Sequence, residues 1–190
     1  MTNRTQAKKL RLVLLLALLV LAPIAARVFG LTSSLSVEGF RRLVESTGPW
    51  APVAFTLVFV VAVVAQVPGF AFVIAAPAMF RLPLAWLLCF LASNVAVLIN
   101  FALVRRFGGQ PLAKIERSTL RRIFAQLDAH PIRTVALLRT LTVMFPPVTG
   151  ALALTQVSAR DHAIGSILGM IVPVTAILAA AAALMDALPP

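Results

Sequence analysis

The chain is short of the residues that carry most enzyme chemistry. Its 190 residues include six carboxylates, two histidines and one cysteine. The lone thiol, Cys89, excludes an internal disulfide, and in an apolar run it reads as a small core hydrophobe. His130 and His162 have no metal-ligand spacing, so no metal and no cofactor is expected. No Gly-x-Ser-x-Gly elbow, His-Glu-x-x-His or phosphate-binding loop occurs. So few carboxylates leave little for acid–base work. The chain is therefore read as a non-enzyme.

Charge of any kind is scarce, at 12%, and one-sided, with 17 basic residues against 6 acidic ones and a net charge of +11. What fills the chain instead is hydrocarbon: 61% hydrophobic residues and a mean hydropathy of +0.99. That excludes an ordinary soluble domain. Uncharged runs of membrane-spanning length recur, which reads as a multi-pass membrane protein. A strongly basic chain raises nucleic acid as a partner, but here the cations sit at the ends of apolar segments, facing anionic headgroups. The expected partners are membrane lipids and their phosphate headgroups, not nucleic acid; an oligomer is left open.

Residues 1–32 read as a cytoplasmic tail with Arg4, Lys8, Lys9 and Arg11, then a first transmembrane helix over Leu12–Ala26. A cleaved signal peptide is the alternative. Pro23 and Ile24 stand where a cleavage site needs small residues, so the helix is read as retained. Residues 33–190 form the main membrane domain. It opens with an amphipathic segment, Ser33–Gly48, placed on the membrane surface.

Residues 50–80 then run without a charge. As one helix they would be about 46 Å long at 1.5 Å per residue, against a hydrocarbon core of roughly 30 Å. Pro68-Gly69 breaks them in the middle. A re-entrant hairpin that enters and leaves on one side is expected, followed by a span at 82–104. A basic amphipathic helix at 110–130 comes next, closed by His130-Pro131. A second broken segment, 134–157, is interrupted by Pro146, Pro147 and Gly150. A last span covers 163–184.

Two broken segments, each followed by a span, form a repeat, and such pairs point to a transport site. Its orientation follows from charge. Arg105, Arg106, Lys114, Arg117, Arg121, Arg122 and Arg133 are opposed only by Glu116 and Asp128, a net +5 that belongs in the cytoplasm. A single crossing by 50–80 would put that loop outside. With a non-crossing hairpin the loop falls inside, and the second hairpin enters from the opposite face. The expected fold is all-α and integral to the membrane, with two oppositely oriented re-entrant hairpins in an inverted repeat.

Among candidate site residues, Arg139 stands out. It is the one charge in 134–157, and an arginine at a helix centre costs about 2.5–3.5 kcal/mol on insertion scales. Either it snorkels from the cytoplasmic end or it forms an anion site beside broken helix ends, whose free N–H groups favour phosphate. Arg105 and Arg106 read as topology anchors or headgroup contacts. Asp161 pairs with Arg160 or reaches Arg139. Pro68, Gly69, Pro146, Pro147 and Gly150 mark the breaks where a substrate would lie.

The order of these pieces resembles the DedA superfamily of VTT-domain, SNARE-associated-Golgi-protein-like membrane proteins, over roughly residues 35–180. Three stretches carry the resemblance. The first is Gly48-Pro49-Trp50-Ala51-Pro52 leading to Val67-Pro68. The second is Phe101-x-x-x-Arg105 with Arg106-Phe107-Gly108. The third is Leu138-Arg139, Pro146, Leu154-Thr155-Gln156-Val157-Ser158 and Gly165-x-x-x-Gly169 with Pro173. The acidic residue common near the first hairpin of proton-coupled members is absent, with Gln66 and Phe70 nearby. The similarity is closer to the branch named for a yeast Golgi protein and its mammalian transmembrane relatives than to DedA proper. The resemblance implies a transporter-like function, as a scramblase or flippase for phospholipid or lipid-linked phosphate. A non-transporting membrane-organising factor and a small-ion or metabolite carrier are the alternatives. A bacterial-type inner or plasma membrane is the expected location.

Overall fold

The computed structural model describes residues 39, 41–42, 44, 46–65, 67–108, 127, 129–142 and 145–187. Among these, every regular element is a helix or a 3₁₀ turn. The helices are α1 (Ala51–Val64), α2 (Phe70–Ala75), α3 (Leu82–Gly108), α4 (Pro131–Thr142), α5 (Pro146–Ala153) and α6 (Ala159–Ala187). The 3₁₀ turns are Gly48–Trp50 and Ala76–Ala78. The first helix expected at 12–26 and nearly all of the basic helix at 110–130 lie outside the described residues. Of the 33–48 segment, Gly39, Arg41, Arg42 and Val44 are helical, and Val44 is buried in the core.

At 14 residues, α1 is about 21 Å long, short of the roughly 30 Å hydrocarbon core. It ends where the sequence breaks. The Val67 N–H reaches back to the Ala62 carbonyl at 2.9 Å, Pro68 has no N–H to give, and Gly69 precedes the first turn of α2. The chain then reverses on itself. Phe59 of α1 stacks on Phe72 of α2 at 4.9 Å, and Phe55, one turn earlier, meets Phe80 edge-on at 5.3 Å. As one arm advances its partner recedes, so the two arms are antiparallel.

The second broken segment differs from expectation at its start. Leu127 and Ala129 are helical and His130 is a bend, and Pro131 then opens α4, where a missing N–H costs nothing. Arg133 therefore belongs to this arm. Pro146 and Pro147 likewise become the first two residues of α5, and Phe145 before them is extended at ψ 112°, as the residue preceding a proline must be. Gly150, expected as a breaker with the prolines, lies inside α5 and is buried.

The two long helices overrun the spans read from sequence, 82–104 and 163–184: α3 continues to Gly108, and α6 runs from Ala159 to Ala187. Both are long and apolar enough to cross a bilayer. The outward face of α3 carries a row of large aliphatics: Leu84, Leu87, Leu91, Val95, Ile99 and Leu103 recur at helical spacing, all exposed. The inward face of α3 includes the small residues Ala85, Cys89, Ala92, Ser93 and Ala96, beside Leu88, Val97, Phe101 and Val104. Small residues inside and large aliphatics outside is the distribution of helices solvated by lipid.

Packing pairs the elements in a regular way. Helix α1 lies along α3 and α4 along α6, while α2 packs against α6 and α5 against α3. The long helices are antiparallel: the Trp86 indole donates to Thr175 Oγ1 at 2.8 Å near one end, and Phe101 stacks on His162 at 4.0 Å near the other. Contact between α4 and α6 is backbone-close. A Cβ placed on Gly165 would lie 2.7 Å from the Ile132 carbonyl, and one on Gly169 would collide with the Ala136 carbonyl. The first half of the core is apolar, centred on Phe55, Phe59 and Phe72. Ser93 and Asn94 are buried beside it on α3, and the buried arginine lies in the second half.

Candidate anion site around Arg139

Arg139 projects from α4 three residues before that helix ends, and its side chain is entirely buried, at 0% exposure. The glycine seam explains how so large a group fits. With no side chain at Gly169, the α6 backbone lies against the root of Arg139, and the guanidinium extends between α4, α5 and α6. Its Nη1 donates to Thr149 Oγ1 of α5 at 2.8 Å. Its Nε donates to Ser166 Oγ of α6 at 3.3 Å, and its Nη2 to His162 Nε2 at 3.0 Å. All three partners are neutral, and no carboxylate meets this cation among the described residues. Taking a charge out of water without a counter-charge costs several kcal/mol.

A second arginine lies close by in a different role. The Arg105 guanidinium sits 4.3 Å above the Phe101 ring, and the same ring stacks on His162. Phe101 thus joins the two arginine environments. Arg105 donates from Nε to the Ala153 carbonyl at 3.0 Å, from Nη1 to Val157 at 2.5 Å and from Nη2 to Thr155 at 2.9 Å. The Ala153 carbonyl is one left over where α5 ends, the negative end of a helix dipole, and those of Thr155 and Val157 lie in the connection that follows. Arg105 therefore straps the end of α5 to α3, with its fork spent on backbone. Arg106, its neighbour, is exposed.

The structure brings together only part of the set expected from sequence. Arg139 and Arg105 converge through Phe101 and His162. Pro146, Pro147 and Gly150 set the position of Thr149 by starting α5 and forming its interior. Pro68 is exposed and Gly69 buried at the other break, with no polar contact to Arg139. Asp161 pairs with neither Arg139 nor Arg160. It accepts from the Ser158 hydroxyl at 2.7 Å while its own N–H donates to Ser158 Oγ at 3.0 Å, a box that caps α6.

Sequence reasoning missed Thr149, Ser166 and His162 as partners of Arg139. A signal existed for two of them. His162 and Ser166 stand four residues apart, beside Gly165 and Gly169, so all four share one face of α6. Testing His162 only for metal spacing overlooked it as an acceptor. Chemically, the assembly offers a fixed guanidinium with five N–H donors, three of them engaged, two flanking hydroxyls and an imidazole. It can receive an oxyanion in place of its neutral acceptors. It holds no nucleophile–base pair.

Against known families, the VTT domain model matches residues 67–183, more than half of the chain. The protein belongs to the VTT-domain family, a family of membrane proteins in which transport is the function commonly assigned. No curated protein and no solved structure matches the chain.

Proposed function

We propose that this protein moves or reorients a phosphate-bearing lipid, a phospholipid or a lipid-linked phosphate, across the bilayer, as a scramblase or flippase without enzymatic activity. The observation that carries this reading is Arg139: a buried guanidinium held by three neutral groups and lacking a counter-anion among the described residues. A phosphate headgroup supplies the missing charge and matches the planar fork bidentately. The surrounding hydroxyls and imidazole hold the cation while no anion is present.

The wider architecture supports transport. The two broken segments act as oppositely oriented re-entrant hairpins in a multi-pass inverted repeat, related as α1–α2–α3 to α4–α5–α6. Three features favour this: the first broken segment doubles back, the packing pairs α1 with α3 as α4 with α6, and the corresponding helices α3 and α6 run antiparallel. A two-fold axis in the membrane plane relates repeats in this way. Backbone freed at the breaks is tolerated at membrane depth where protein covers it. Among VTT proteins we place the chain nearer the Golgi and transmembrane branch than DedA proper, in a bacterial-type plasma membrane.

Reconstitution tests the reading. Proteoliposomes carrying a fluorescent phospholipid should expose the inner-leaflet label to an external quencher at a rate set by protein content, and protein-free vesicles should not. A protein-independent rate would favour the membrane-organising alternative.

A further inference from the structure

Asn94 is the thirteenth of the 27 residues of α3, near the middle of a helix long enough to cross the bilayer. It is only 7% exposed. Its Nδ2 donates to the Phe90 carbonyl, one turn back, at 2.8 Å. Only the nitrogen of an amide can donate to a carbonyl, which settles which way the group is turned. The other atom, Oδ1, is buried and has no partner. A buried acceptor left open in this way needs an explanation.

The stripe of α3 that carries this amide is the one turned to α6. Trp86 bonds Thr175 of α6 and stacks on Phe90 at 4.9 Å. Phe101, seven residues beyond Asn94, stacks on His162 of α6. Spacings of four, four and seven put Trp86, Phe90, Asn94 and Phe101 on one face, so Asn94 lies between these two contacts. The seam between them is thinly covered. Phe90 and Leu98 are half-buried, and Leu168 and Ile171, at helical spacing from Thr175 on α6, are exposed. One turn either side of the amide, Phe90, Leu91, Val97 and Leu98 are all apolar, so a water held there would find too few partners.

We propose that Asn94 Oδ1 is a midway acceptor for lipid headgroups that carry an N–H or O–H donor, and that it speeds their passage along the α3–α6 seam. The proposal rests on the lipid-transport reading and adds the headgroup class to it. The bilayer centre is where a headgroup finds fewest partners, so one acceptor placed there lowers the barrier for a primary ammonium or a hydroxyl. The quaternary ammonium of choline has no N–H and gains no such bond. Arg139 acts at a different point on the path. The Phe101–His162 contact beside it is about 10 Å along α3 from Asn94 at 1.5 Å per residue, so the two groups meet a headgroup in turn.

Two phospholipids labelled on the acyl chain isolate the headgroup: fluorescent phosphatidylethanolamine and fluorescent phosphatidylcholine. Their flip is followed for the full-length protein at matched reconstituted amounts, with Asn94→Leu, Asn94→Thr and Arg139→Lys beside wild type. Leucine keeps the branched shape and removes the acceptor. Threonine can bond the carbonyl one turn back, as Thr56, Thr140 and Thr142 do, and its oxygen still accepts. Asn94→Leu should slow the ethanolamine lipid about fivefold, the scale of one neutral hydrogen bond. Asn94→Thr should stay within about twofold of wild type, and the choline lipid should be unchanged in both. Equal slowing of the two lipids by Asn94→Leu would overturn the proposal as a packing effect. Unchanged rates for both would overturn it as an acceptor that transport does not use. Absence of protein-dependent flip in wild type would instead remove the transport reading itself, whereas a slow Arg139→Lys with a normal Asn94→Leu would remove only the Asn94 contact.

Discussion

Arg105 and Arg139 present the same guanidinium to very different surroundings. Arg105 faces three backbone carbonyls at 2.5–3.0 Å, which cannot leave, whereas Arg139 faces two hydroxyls, which can rotate, and an imidazole. Arg105→Lys should therefore act on stability. One ammonium on a flexible stem cannot reproduce a three-way fork, and leaving buried carbonyls unpaired costs about 1–3 kcal/mol. The melting temperature in detergent should fall, while flip rate per folded molecule stays within about twofold of wild type. A collapse of flip with unchanged melting would return Arg105 to the substrate path. Arg139 was legible in the sequence because a charge in an apolar run has few explanations. Its partners were not, because Ser166 and His162 lie more than twenty residues on and reach it only through the glycine seam. Asp161 misled for the opposite reason: its electrostatics suggested an arginine, and its position three residues after Ser158 made it a cap.

At the level of elements, the breaks were readable because proline acts locally and the packing acts at a distance. Pro68 and Pro146 remove donors and restrict the residue before them wherever the chain goes. Gly150 shows the limit, since one glycine inside a short helix costs only about 1 kcal/mol against alanine and tertiary packing absorbs it. The long helices run three or four residues beyond the apolar spans at 82–104 and 163–184, because charges such as Arg105, Arg106, Arg160 and Asp161 do not end a helix. Hydrogen bonding carries each helix past its apolar core until a cap or turn intervenes. Two substitutions test the elements. Replacing Pro146 and Pro147 together with alanine should draw α4 and α5 towards one helix and carry Thr149 away from Arg139, with flip lost and membrane insertion retained. Wild-type flip in that variant would make the second break incidental. Gly169→Ala should drive the α4 and α6 backbones apart, since the clash is with a carbonyl rather than a flexible side chain. A destabilisation of about 1–3 kcal/mol is expected, seen as a lower melting temperature; an unchanged one would show that the seam yields freely.

For the whole molecule, one topology accommodates the basic loop, the doubled-back arms and the antiparallel long helices. On the proposed re-entrant topology, both ends of residues 50–80 face outward and the basic segment at 105–133 faces the cytoplasm. Single cysteines at positions 48 and 82, in a Cys89→Ala background, should label from the same side of the membrane. Labelling from opposite sides would make 50–80 a crossing segment. Within that frame the two halves share a plan but differ in content: aromatic rings fill the first hairpin, and a cation fills the second. The transport reading stands on that difference. Its most direct test is the flip rate of a fluorescent phospholipid by Arg139→Lys against wild type, at equal reconstituted protein. Lysine keeps the charge and can anchor a helix end but cannot hold phosphate bidentately. A loss of about tenfold, about 1.4 kcal/mol, is predicted; an unchanged rate would contradict the bidentate phosphate site and leave Arg139 as a charge that serves the fold.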